Sequence, residues 1–248
     1  MKKFLVITLM FVSLGASQET KPDAALTNNV QSRNQTRNTP PKKISMEEAL
    51  KNTKEIPGLI TLYQDTTNGK LYMLIKKDHL DKEYIHFVYG ANGHNNTGIT
   101  RGWPYFSRVI KLKKYFTRIE FEIQNNSFYF DPNNPLSRSS EANITTAILA
   151  SSFIVSEKDG GMLIGVDNIF LTEALHQISR GFVPGSPNKN PFKIGRLAKE
   201  RTKYLSINNY PENTDLIVQY VYTNPTPTNW GSDNGLTDPR SVNVSIQH

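Results

Sequence analysis

The feature that most constrains this chain is a succession of short segments in which apolar and polar residues alternate. In the sequence Arg-Ile-Glu-Phe-Glu-Ile, Ile119, Phe121 and Ile123 fall on one face of an extended strand, and charged residues fall on the other. Such alternation indicates an antiparallel sheet with one buried and one solvated face. The pattern predicts a mainly β (α+β) fold, built as an antiparallel sheet, a sandwich or an open barrel with a few short helices.

Turn-forming residues separate further segments of this kind. Asn68 and Gly69 lie between apolar runs at 58–63 and 70–75, and Asn-Gly is typical of a β-hairpin turn. A second hairpin is expected around residues 159–161, where the sequence is Asp-Gly-Gly. Further strands are expected at residues 84–89, 108–112, 152–155, 162–166, 216–222 and 241–247.

Helices are expected to be few and short. Ser45 followed three residues later by Glu48 is typical of a capping box, and it predicts a helix over residues 46–53. Two more short helices are expected near residues 139–149 and 172–179.

The first 17 residues have the three parts of a signal peptide: a basic start, an apolar stretch and small residues near a cleavage site. The apolar stretch is too short to span a membrane, so no transmembrane segment is predicted. We expect export, either to the periplasm or out of the cell. Removing Lys2 and Lys3 leaves 27 of the 29 basic residues against 22 acidic ones, a net charge of +5 instead of +7. So small an excess does not support nucleic-acid binding, and none is predicted.

The rest of the chain divides into two parts. Residues 18–44 are polar, proline-containing and without a period, which predicts a disordered tether, and residues 45–248 are expected to form one mainly-β domain. The last strand of this domain carries Val242, Val244 and Ile246 on one face, and the sequence ends shortly after it. A strand with a buried face normally has a further partner. The strand is therefore expected either to lie at the edge of the sheet or to belong to a severed domain with its apolar face uncovered, and we favour a domain that is incomplete at its C-terminus.

The residue types exclude several kinds of chemistry. The chain has no cysteine, which excludes a disulfide scaffold, a thiolate zinc site and a cysteine nucleophile. The sequence also lacks the nucleophile elbow G-x-S-x-G, the phosphate-binding and dinucleotide-binding loops, and the zinc-binding motif H-E-x-x-H. No catalytic residue, metal ligand or cofactor is therefore predicted in this chain.

One group of residues has a spacing that a metal site could use. His79, Glu83 and His86 would share one face if they lay on a helix. Residues 78–82 indicate a polar turn that leads into a strand, however, so the three side chains are expected to diverge. A metalloenzyme built on these residues remains an alternative, and it requires stoichiometric zinc in the pure protein.

The loop between residues 90 and 106 is the best candidate for a recognition surface. It contains an arginine and three aromatic residues: Arg101, Trp103, Tyr105 and Phe106. Such side chains on a long loop are typical of sites that bind a peptide or a sugar. The structural interpretation is favoured over this one: Trp103 and Phe106 would cover one end of the sheet, because aromatic residues usually pack in cores.

A set of strand and turn segments follows a characteristic order along the chain. These segments lie at residues 54–63, 69–75, 80–85, 108–112, 147–155, 162–171, 201–204, 210–216 and 238–248. Their order is similar to that in the N-terminal half of large secreted bacterial zinc-dependent metalloproteases of the metzincin type. There, domains of unknown function precede the peptidase domain. The family's zinc motif resembles H-E-x-x-H-x-x-G-x-x-H. No position of this chain matches that motif, so no catalytic or metal-binding residue is implied.

The resemblance implies an accessory N-terminal region of an exported zinc-dependent metalloprotease, inactive alone and truncated before the catalytic domain. It implies zinc only in a downstream peptidase domain of the same protein, which would be the main partner, with a peptide substrate as a further one. The alternative is a self-contained secreted binding module that uses the loop at residues 90–106.

Overall fold

Alternating apolar residues produce a structure in which β-strands are the main element. The computed structural model describes residues 42–94, 97–131, 133–135, 137, 144–178, 193–227 and 236–248, all of which belong to one structural unit. The twelve strands in these ranges, β1 to β12 in chain order, are Thr53–Ile56, Leu62–Asp65, Leu71–Ile75, Glu83–Asn92, Pro104–Tyr115, Arg118–Ile123, Ala147–Lys158, Gly161–Gly165, Arg196–Leu197, Lys203–Asn209, Thr214–Thr223 and Ser241–Gln247. Every pairing between them is antiparallel, so the predicted mainly-β fold is confirmed.

Both predicted hairpins are present, and their turns follow from the residues that form them. In the turn between β2 and β3, the Asp65 carboxylate accepts a hydrogen bond from the Thr67 amide (2.8 Å), and Gly69 has a φ of 76°. In the turn between β7 and β8, Asp159 and Gly160 have φ values of 50° and 78°. Gly and Asp tolerate these left-handed conformations better than other residues do.

The helices are shorter than the sequence predicts. Helix α1 spans Met46–Leu50, and the Ser45 hydroxyl caps it by accepting a hydrogen bond from the Glu48 amide (3.1 Å). Helix α2 spans Asp167–Phe170, and residues 172–178 contain no helix, so the helix predicted at 172–179 is wrong where the structure describes it. Two 3-10 turns span Lys77–His79 and Lys199–Arg201. None of these helices is long and apolar enough to cross a membrane.

The helix predicted at residues 139–149 is wrong where the structure describes it. Ala147 and Ile148 belong to β7, where they pair with residues of β6. The β-branched residues Thr145 and Thr146 just before them disfavour a helix. Residues 139–143 lie outside the described ranges.

The strands form one sheet that curls until its two ends meet. Its order is β1-β2-β3-β8-β7-β6-β5-β4-β12-β11-β10, with β9 paired on β11. At the junction the Leu59 amide donates to the Tyr210 carbonyl (2.6 Å), and the Asn209 side-chain amide donates to the carbonyls of Ile56 (2.8 Å) and Ile60 (2.9 Å). The result is an open barrel around one hydrophobic core.

The position of β12 is the clearest departure from the sequence prediction. This strand pairs with β11 on one side and with β4 on the other, and Val242, Val244 and Ile246 are fully buried by earlier parts of the same chain. The expectation of an open edge strand with an uncovered apolar face is therefore wrong. The physical reason is that strand order is set by long-range pairing, which the sequence around β12 does not reveal.

The outer face of β6 is also less solvated than the alternation predicts. Glu120 and Glu122 are buried, although they point away from the core. An ion pair joins Glu120 to Arg118 (2.6 Å), and another joins Glu122 to Lys113 (2.9 Å). The long basic side chains of β5 and β6 cover these carboxylates, so the outer face is polar but not open to water.

Residues 167–178, which we call the inner segment, lie inside the barrel, where Ile169, Leu175 and Ile178 are buried. Hydroxyls from three tyrosines hold this segment. Tyr204 donates to the Asp167 carboxylate (3.1 Å). Tyr220 donates to the Phe170 carbonyl (2.6 Å) and Tyr222 to the Glu173 carboxylate (2.7 Å), both from β11. Burial raises the pKa of all three tyrosines far above the usual value, so they remain protonated donors.

Candidate functional site

The barrel wall has an opening next to the end of β12. On β4, only residues between Tyr89 and Asn92 pair with β12. The last residue of β12 in this pairing is Gln247. The earlier part of β4, Glu83–Val88, pairs with β5 on one side, and no strand of the described chain pairs with it on the other. Beyond the opening, β11 extends past β12 to Thr214.

We call this opening, between Glu83–Val88 and Glu212–Leu216, the wall gap. β4 and β11 are the two neighbours of β12. Adjacent strands lie about 4.8 Å apart, so two strands that flank a third are separated by about 10 Å. The wall gap therefore continues the line of β12 and is one strand wide.

The backbone of β4 offers free hydrogen-bonding groups to the wall gap. His248 exchanges two backbone hydrogen bonds with Leu216 of β11 (2.9 and 3.0 Å). Because peptide groups alternate between the two sides of an antiparallel strand, the preceding residue, Gln247, bonds toward β4. Its β4 partner is Tyr89. By the same alternation, the β4 residues whose peptide groups point into the wall gap are Glu83, Ile85 and Phe87.

Behind the wall gap lies a cavity of about 580 Å³ that reaches the core of the barrel. Its inner walls are apolar and include Leu59, Ile60, Met73, Leu112, Phe170 and Leu175. A cavity of this size, lined by apolar side chains and open at one side, is typical of ligand sites.

The rim of the wall gap combines carboxylates with exposed apolar side chains. Glu83, Glu212 and Asp215 lie among the residues that line the cavity, and within the described ranges no lysine or arginine does. On the outer surface, Ile85 and Phe87 are 66% and 46% exposed. In a chain with a net positive charge, this is a local acidic site with an apolar edge.

Histidines form the inner corner of the site. Tyr220 donates its hydroxyl proton to the Phe170 carbonyl, so its oxygen accepts from His248 Nε2 (2.9 Å). His248 Nδ1 must then accept from His86 Nε2 (3.1 Å), which leaves His86 Nδ1 as an acceptor. That nitrogen and both ring nitrogens of His176 are buried with no hydrogen-bond partner among the described residues.

Burial keeps these histidines neutral. Together with the smaller effect of the nearby Arg108 guanidinium, it lowers the pKa of His86 to about 4 and that of His176 to about 3. Burial also holds the pKa of His248 well below its usual range. Groups with such values are poorly matched to proton transfer near neutral pH. Among the described residues, no cluster of three His, Cys, Asp or Glu side chains is arranged to hold a metal ion.

The structure brings together only part of the predicted recognition loop. Trp103 is 63% exposed and lines a shallow hollow with Tyr105 and with Gly98 and Thr100. The Tyr105 hydroxyl fixes this hollow, because it accepts from the Thr100 amide (2.6 Å) and donates to the Gly98 carbonyl (2.8 Å). Arg101 is exposed in the adjacent turn. The exposure of Trp103 contradicts the structural interpretation in which it covers the end of the sheet.

Phe106 lies apart from that hollow. Its ring faces the histidine corner, 6.1 Å from the ring of His86, and the Arg108 guanidinium lies 4.0 Å from its centre. His79, Glu83 and His86 do diverge: His79 is in a 3-10 turn, and the other two lie on opposite faces of β4.

Sequence reasoning missed both the wall gap and the histidine corner. The sequence signal that could have revealed the histidine corner is the alternation within two strands. It places His86 at an inward position of β4 and Tyr220 at an inward position of β11. The chain matches no family model, no curated protein and no solved structure.

Proposed function

We propose that this domain binds an extended polypeptide segment as an additional β-strand. The observation that carries the proposal is the wall gap, where no strand of the described chain pairs with Glu83–Val88 on the side away from β5. Strand alternation directs the peptide groups of Glu83, Ile85 and Phe87 to that side. Strand addition to an open sheet edge supplies main-chain hydrogen bonds, and the cavity behind it receives alternate side chains. No group in the histidine corner is suited to catalysis near neutral pH, which favours binding over chemistry.

We further propose that the domain does this as the accessory, non-catalytic region of an exported zinc-dependent metalloprotease. The order of the segments supports this proposal, and so does the absence of the H-E-x-x-H motif from the sequence. In such a protein the strand would come from the downstream peptidase domain or from a peptide substrate. The domain would then act in the periplasm or outside the cell, and zinc would belong to the peptidase domain alone.

The test is to block the edge of β4 without breaking its pairing with β5. In the variant Ile85→Pro, the lost amide and the added ring both face the wall gap, whereas the bonds to β5 come from the neighbouring residues. The matched control is Leu205→Pro, which places proline at an exposed position in the irregular part of the edge strand β10. Thermal melts of both variants establish that they fold.

The readout is selection from a displayed library of random decapeptides, followed by hydrogen exchange of the 248-residue chain with a selected peptide. We expect the parent chain and Leu205→Pro to enrich peptides and Ile85→Pro to enrich none. On binding, the amides of Ile85 and Phe87 should exchange more slowly. Peptides that bind without slowing these two amides would refute strand addition.

A second candidate function uses the hollow at Trp103. The observation that favours it is the exposed indole beside a tyrosine ring that is fixed by two hydrogen bonds. If this is the binding site, Trp103→Ala should abolish peptide or sugar binding without changing the melting temperature, whereas Ile85→Pro should leave binding intact.

A further inference from the structure

We infer that the segment which fills the wall gap is a basic amphipathic strand, with apolar residues at alternate positions and Lys or Arg between them. This inference rests on the proposed function, and it adds the chemistry of the partner. The cavity, the rim charges and the register of β4 together determine the pattern.

The register follows from the line of β12. A strand that continues this line runs antiparallel to β4, and residues directly opposite each other in such a pair point to the same face. The two positions opposite Tyr84 and His86 therefore point into the barrel. The three positions opposite Glu83, Ile85 and Phe87 point outward.

The inward positions require apolar side chains. They enter the cavity of about 580 Å³, whose inner walls are formed by core residues such as Met73, Leu112 and Leu175. A charged group placed there would lose its hydration, and the histidines beside it are neutral and cannot compensate it. Leu, Ile, Val or Met at these two positions would instead bury apolar surface on both partners.

The outward positions favour lysine or arginine. Glu83, Glu212 and Asp215 surround them, and only Glu83 has an ion pair with a lysine of the described chain, Lys111 (3.1 Å). The exposed side chains of Ile85 and Phe87 offer an apolar surface for the aliphatic part of a basic side chain. A lysine or arginine can cover that surface and still present its charge to a carboxylate.

The experiment uses the 248-residue chain and three fluorescein-labelled peptides. Their central residues are Lys-Leu-Lys-Leu-Lys, Glu-Leu-Glu-Leu-Glu and the rearranged Lys-Lys-Lys-Leu-Leu, each between Gly-Ser pairs. Fluorescence anisotropy at low salt measures the dissociation constants. We expect the alternating basic peptide to bind at least about tenfold more tightly than either of the others, and its advantage over the acidic peptide to shrink at high salt.

Two variants test whether the carboxylates at the rim of the wall gap cause the preference for the basic peptide. In the double variant Glu212→Gln, Asp215→Asn, the dissociation constant of the basic peptide should rise about three- to tenfold, because two partly exposed charge pairs are lost. Binding of the acidic peptide should not weaken. The control is Glu48→Gln, which removes an exposed carboxylate on helix α1, outside the set of residues that line the cavity, and should leave binding unchanged.

The outcomes separate this inference from the proposed function. If the acidic and basic peptides bind equally and Ile85→Pro abolishes both, the basic chemistry is refuted while strand addition stands. If no peptide binds, or if Ile85→Pro leaves binding unchanged, the proposed function fails and the inference fails with it. If sedimentation shows a dimer that excludes the peptides, the occupant is a second copy of this chain, and the inference is overturned.

Discussion

Acidification from about pH 7.5 to pH 5 should destabilise this domain through its buried histidines, His86, His176 and His248. Burial lowers the pKa of His86 to about 4 and that of His176 to about 3, whereas an unfolded histidine titrates near 6.5. Between these values the unfolded chain binds protons that the folded chain does not. The stabilisation is therefore complete above about pH 6.5 and is lost as the pH falls below it.

The magnitude follows from the distance between pH 5 and the unfolded pKa. That distance is about 1.5 pH units, and each unit corresponds to about 1.4 kcal/mol per proton. His86 and His176 therefore each lower the free energy of unfolding by about 2 kcal/mol at pH 5, or by about 4 kcal/mol together, and His248, whose pKa burial also lowers, adds to this loss. This is a large part of the roughly 5–15 kcal/mol that stabilises a typical domain.

The assay is urea unfolding followed by circular dichroism at the two pH values. In the variant His176→Phe, an aromatic ring replaces the imidazole, so about 2 kcal/mol of the pH effect should disappear. The control is His94→Gln, which changes a histidine outside the corner and should retain the full effect. A free energy of unfolding that is equal at both pH values, or a pH effect undiminished in His176→Phe, would refute the reasoning.

Two further predictions concern the core. Tyr220→Phe should lower the free energy of unfolding by about 1–3 kcal/mol at neutral pH, because the Phe170 carbonyl and a ring nitrogen of His248 both lose their partner; urea unfolding of the variant measures this. In the same measurement, Val244→Ala should lower the free energy of unfolding by about 2 kcal/mol, because this residue is fully buried in a central strand. Val109→Ala, at a half-buried position, should lower it by less than about 1 kcal/mol.

Local sequence signals predicted the strands and their turns well. The hairpins at Gly69 and Gly160 depend on two or three adjacent residues, and the alternation in β6 places Ile119 and Phe121 in the core as expected. The cap at Ser45 is likewise a contact between residues three positions apart. Interactions of this range can be inferred from a single sequence because their partners are neighbours in it.

The predictions of strand position and burial that failed depend on distant partners. β12 has an ordinary alternating pattern, and nothing within it shows that it lies between β11 and β4. The burial of Glu122 depends on Lys113 of another strand. The wall gap arises because the pairing of β4 with β12 is shorter than β4 itself, a difference in length that appears only once the two strands are placed side by side.

The insertion of β12 between β11 and β4 has a consequence for how this polypeptide acquires its structure. His86 and His248, which touch in the barrel, are 162 positions apart in the chain. A contact between such distant residues closes a very large loop, and folds dominated by non-local pairing form slowly. Until residues 241–248 have been synthesised and have found their place, β4 and β11 each expose an unsatisfied flank. This nascent species is therefore the stage at which the protein is most prone to aggregate and most dependent on chaperones.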